Sequence, residues 1–258
     1  GCCSLYSSPY QSSFSKHDNN DGRNTDYKQT VVTTPDFIVT IHTSSMTTAN
    51  SHAHIFVSVP SAHCYMKVIP VVSLYAGELD MLDRVKEAIM VNQTNPKAIH
   101  FGQAVATLLE NLLLGSNLKT ALEKVVEFAI TGGHDEVMDA CLRALGDAKS
   151  KSVEEVVQAL GEEGLGGRSS KLPSAFTVPL YLLYKAVADA EETTDAQYTD
   201  AIRQNILAAG DTCSRAILLG AALAAASGSV PADIKDKTSS DVVSRVQKAS
   251  KSIISVLN

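Results

Sequence analysis

Apolar residues recur every three to four positions through most of this chain, the rhythm of helices that bury one face. It begins near Val71. Leu79, Leu82, Val85 and Ile89 fall at 3/3/4 spacing and predict a first amphipathic helix. Asn95-Pro96 then offers an N-cap followed by proline at the first helical position. The helix it opens should run through Ile99, Val105, Leu108, Leu109 and Leu112 to Gly115. Leu118 to Ala129 predicts a third helix, stopped by Thr131-Gly132-Gly133, and Glu136 to Leu145 and Val153 to Leu160 predict two shorter ones. Ser174 to Ala190 reads as a long apolar helix in which Pro179 should cause a kink or reset the start. Tyr198 to Ala209, Ala216 to Ala226 and a closing helix near Ser240 to Leu257 complete the series. Nothing after residue 70 alternates with period two, so the pattern predicts an all-α domain.

Upstream the pattern is different. Residues 1 to about 64 are rich in Ser, Thr, Asn and His, and residues 1 to 30 show no apolar periodicity and read as disordered. Two β-like runs stand out, Phe37 to Ile41 and Ile55 to Val59, which either pair as a hairpin or stay irregular. The expected division is an irregular or β-like segment over 1–64 and a helical domain over 65–258. The start, Gly1-Cys2-Cys3-Ser4, lacks an initiator Met and the order of a signal peptide, which reads as a fragment or trimmed chain.

Composition narrows the classes of function. A chain of 258 residues with 45% hydrophobic content can bury a large core. Its net charge of −6, with no extended Lys/Arg cluster, argues against a nucleic-acid binder. The longest apolar stretch, Ala216 to Ala226, is too short to span a bilayer, so no membrane association is expected. Five cysteines without a CxxC pair indicate neither a disulfide framework nor a zinc site, and the reducing cytoplasm is the expected compartment.

One polar insertion interrupts the apolar C-terminal helices: Gly210-Asp211-Thr212-Cys213-Ser214-Arg215. Burying a carboxylate costs several kcal/mol unless a cation or donors meet it. Two local arrangements are open. On a continuous helix Asp211 and Arg215 share a face and form an internal ion pair. Alternatively Gly210 marks a helix start and Asp211 is the N-cap of the next helix, at the positive end of its dipole. The second arrangement also suits an anion or a metal-bound phosphate. Cys213 reads either as a thiol activated by the helix N-terminus and Arg215 or as a small buried apolar residue.

Other clusters carry weaker signals. His42, His52, His54, His63 and Cys64 crowd together but match no metal-ligand spacing. Gly161 to Gly167 is rich in glycine yet lacks a P-loop lysine and a preceding strand, so it reads as a flexible helix connection. Thr131 to Glu136 reads as a C-cap followed by an N-cap.

Three stretches together resemble the ADP-ribosylglycohydrolase superfamily, and within it the J1-crystallin and selenoprotein J branch. They are Leu74-Tyr75-Ala76-Gly77 with Leu82 to Ala88 and Asn92 to Asn95; the run Ala175-Phe176-Thr177-Val178-Pro179-Leu180-Tyr181; and Asn205 to Arg215. The resemblance covers about Val68 to Asn258, with the first segment unmatched. It implies an orthogonal multi-helix bundle in which acidic residues hold two magnesium ions and water cleaves a glycosidic bond of an ADP-ribosyl group. By resemblance, Asp211 stands at the first acid of the C-terminal metal motif, Cys213 in place of the second, and Ser214 in place of a threonine. Thr212 and Arg215 complete the lining. The N-terminal acidic motif of the family has no counterpart in residues 1 to 64.

Three readings follow: a non-catalytic or structural protein of J1-crystallin type, a magnesium-dependent hydrolase of ADP-ribosyl bonds built around Asp211, or a chain lacking the opening helices. Two hard cations need several carboxylate oxygens, and one matched acid does not supply them. The expected ligand is ADP-ribose or an ADP-ribosylated substrate. Apolar faces left open by absent helices predict self-association.

Overall fold

The helical rhythm is realised almost element for element in the computed structural model, which describes residues 27–34, 37–44, 59–188 and 193–257. By contacts the chain divides into residues Gly1–Ser51 and His52–Asn258. In the first unit β1 (Tyr27–Thr34) and β2 (Phe37–Ser44) form an antiparallel hairpin, Thr34 opposite Phe37 and Tyr27 opposite Ser44. The expected strand at Phe37 to Ile41 is therefore present. Its observed partner is Tyr27–Thr34; of the second β-like run, Ile55 to Val59, residues 55–58 lie outside the described ones. Residues 27–30, read from sequence as disordered, belong to β1, because Thr30, Val31 and Val32 begin a β-branched run that suits a strand.

The second unit is helical. A 3₁₀ turn at Ala62–Cys64 leads into α1 (Val68–Tyr75), α2 (Met81–Met90), α3 (Pro96–Leu113), α4 (Leu118–Gly132), α5 (Asp135–Asp147) and α6 (Val153–Glu162). Then follow α7 (Ser174–Ala188), α8 (Asp195–Leu207), α9 (Thr212–Ser227), α10 (Ala232–Lys235) and α11 (Ser240–Leu257). The helical fold class is thus observed. Caps explain the boundaries: Asn95 accepts from the Lys97 N–H at 2.9 Å ahead of Pro96, and Asn117 accepts from the Thr120 N–H at 2.8 Å. Ser152 with Glu155 and Thr194 with Gln197 close reciprocal capping boxes on α6 and α8. Thr131 to Glu136 is the expected pair of caps, with Gly133 left-handed behind α4 and His134 ahead of α5.

Two details depart from the pattern. Leu79, placed on the first amphipathic stripe, is fully exposed, and the buried face of α2 is Met81, Val85 and Ile89. The helix begins after Asp80, so the 3/3/4 spacing counted one residue from the preceding turn. Pro179 neither resets nor ends its helix, because α7 starts at Ser174 and continues to Ala188 with the proline inside. A proline there removes the N–H that would meet the carbonyl of Ala175, four residues back. The hydroxyl of buried Tyr65 donates to that carbonyl at 2.8 Å, replacing the lost bond.

The core centres on α3 and α7. α3 packs against α1, α2, α4 and α9, and α7 against α5, α8 and α9, with Phe101 meeting Phe176 edge-on at 5.0 Å. Every residue of α7 from Ser174 to Leu183 is buried, which is why its sequence is apolar all round rather than on one face.

Candidate functional site: the turn before α9

Three segments converge where α8 hands over to α9. The chain leaves α8 at Leu207, passes Ala209 at φ +54° and Gly210 at φ +72°, and enters α9 through Asp211. Two successive left-handed residues reverse the chain sharply. The segment after α6 packs onto this reversal: the Asp211 N–H donates to the Arg168 carbonyl at 2.8 Å, and Arg168 Nε donates to the Ala208 carbonyl at 3.0 Å. A Cβ at Gly210 would lie 2.1 Å from that Arg168 carbonyl oxygen, so only glycine fits the approach. The residues after Val59 join the same junction, with Ala62 N–H donating to Ser170 O and Leu172 N–H to Pro60 O.

The helix-start arrangement is the one observed. Asp211 is the N-cap of α9, and its Oδ1 accepts from the Ser214 N–H at 3.3 Å. The expected Asp211–Arg215 ion pair does not form among the described residues, because Asp211 precedes the helix and the two side chains do not share a helical face. Arg215 is fully buried and turns back across the reversal. Its Nε donates to Asn205 Oδ1 at 2.9 Å and its Nη2 to the Ala209 carbonyl, while Nη1 has no hydrogen-bond partner. Asn205 completes the bracket by donating from Nδ2 to the Thr212 carbonyl at 3.0 Å.

Charge follows from this burial. Loss of water pulls the Arg215 guanidinium below the usual arginine range, Asp211 and Tyr65 pull it back, and Arg168 adds repulsion. Burial pushes the Tyr65 phenol well up, with the charges of Cys64 and Asp211 acting in the same direction and Arg215 opposing. The charge of Asp211 thus acts on both Arg215 and Tyr65.

Of the residues singled out from sequence, Asp211 and Thr212 are half-buried, Ser214 and Arg215 buried, and Cys213 exposed. Cys213 is therefore not a small buried apolar residue; it is a free thiol on the outer face of the first turn. Arg168, Asn205 and Tyr65 are the participants that sequence reading missed. Asn205 left a trace only as part of the stretch that carries the family resemblance, since Arg203 and Gln204 beside it are polar as well. Arg168 and Tyr65 left none, because long-range packing brings them in. The glycine-rich stretch, read as a flexible connection, is tied to the reversal by the bonds of Arg168. Cys64, placed with the histidine cluster, lies buried in the helical core, where loss of water pushes its thiol up to about 12. His52 and His54 lie outside the described residues.

Among the described residues, the donors at this turn do not fit a pair of magnesium ions. Among the described residues, no group of three His, Cys, Asp or Glu side chains stands close enough to hold a metal. Asp211 already accepts a backbone hydrogen bond, and a thiol is a poor ligand for a hard cation. No described helix is long and apolar enough to cross a membrane.

The fold and the turn define a helical protein with an Asp-capped helix, the buried Arg215 lying one turn beyond the cap. A family model for ADP-ribosylglycohydrolase matches residues 13–256, and the chain belongs to that family. The match starts far upstream of Val68, which overturns the expectation that the first segment is unrelated to the family. No curated protein and no solved structure is matched by the chain.

Proposed function

We propose that this family member is a non-catalytic, structural protein of the J1-crystallin type, resident in the reducing cytoplasm. The observation that carries the reading is the commitment of Asp211. Its carboxylate caps α9, the neighbouring motif position is the exposed Cys213, and the fixed cation next to it is the buried guanidinium of Arg215. Such a site offers a hard cation one acid rather than several. The free thiols of Cys64, Cys141 and Cys213 support a reducing compartment. The second reading, a magnesium-dependent hydrolase of ADP-ribosyl bonds, is favoured by family membership together with the match of Asp211 to a metal-motif acid.

Thermal unfolding in a magnesium titration, paired with an assay for ADP-ribose released from an ADP-ribosylated peptide, separates the two. The expected result is no magnesium-dependent rise in Tm and no release. Asp211→Asn is the useful control, since asparagine caps a helix as well as aspartate but carries no charge. A magnesium-dependent rise that disappears in D211N, accompanied by turnover, would replace the structural reading with the hydrolase.

A further inference from the structure

We draw no further inference here: the strongest candidate, the side-chain cluster at the N-terminus of α9 in which the buried Arg215 has no hydrogen-bond partner for Nη1 among the described residues, belongs to the site already described.

Discussion

Ala209 and Gly210 are neighbours with nearly the same left-handed backbone, yet they should respond oppositely to exchange of alanine and glycine. At Ala209 the Cβ adds about 1–2 kcal/mol of backbone strain, and glycine would relieve it while adding about 0.4–1 kcal/mol of unfolded-state entropy. The strain term is larger, so Ala209→Gly should stabilise by roughly 0.5–1 kcal/mol in chemical denaturation. At Gly210 the same backbone cost is joined by a collision, because the new Cβ would lie 2.1 Å from the Arg168 carbonyl oxygen. Backbone atoms cannot yield as a side chain can, and Gly210→Ala should destabilise by about 3 kcal/mol or more. What holds Ala209 in place is the Nη2 hydrogen bond of Arg215 to its carbonyl. That contact also shows why the candidate site was only half legible. The Gly-Asp pair and the polar insertion stand out in the sequence, but the direction in which Arg215 turns depends on Asn205 and on the backbone reversal. Spacing four residues from Asp211 suggested a partner that the helix start then removed.

At the level of elements, periodicity and caps located the helices well, because each helix must bury one apolar stripe and satisfy its first N–H groups locally. Asn95-Pro96 is the clearest case, with cap, proline and helix all where the residues predict them. The short α10 escaped, having a single turn and no buried residue to set a rhythm. Close packing between elements is less visible. Gly102 on α3 allows α2 to approach so closely that a Cβ would lie 2.2 Å from Ile89 Cδ1. Gly102→Ala should therefore cost about 1–3 kcal/mol by overpacking despite the better helix propensity of alanine. Ile89→Val removes the colliding methyl, so the double variant G102A/I89V should be more stable than the sum of the single changes predicts. A double-mutant cycle on urea unfolding measures that coupling, and strict additivity would refute the contact.

The whole molecule should lose stability on mild acidification through one junction of three helices. His100 on α3 stacks on His134 at 4.1 Å, against Phe128 of α4, with Lys97 and Glu136 paired beside them at 3.1 Å. Burial and the second imidazole lower the His100 pKa, with Glu136 opposing. A histidine whose folded pKa is lowered is neutral in the native state while its unfolded form still binds a proton. Its stabilising contribution is thus complete above the unfolded pKa of about 6.5 and is lost as pH falls through that value toward the lower folded one. Tm should fall between about pH 7.5 and 5, and the slope should be shallower in His100→Gln. An identical pH profile for the variant would show that His100 does not contribute.

By itself the sequence determined that this chain is mainly helical, where most helices start and stop, and that one acid stands at a special position among apolar helices. It did so because caps, glycines and a 3.6-residue apolar period act over a few residues. The tertiary structure alone decided what surrounds that acid. Arg168 arrives from the segment after α6, Asn205 from α8, and Tyr65 from before α1 to supply the bond that Pro179 withholds. Only packing brings these groups together, since residues distant along the chain carry no local signal of which polar atom each will meet. The same holds for α11, whose amphipathic pattern predicts a covered face while the fold leaves much of it open.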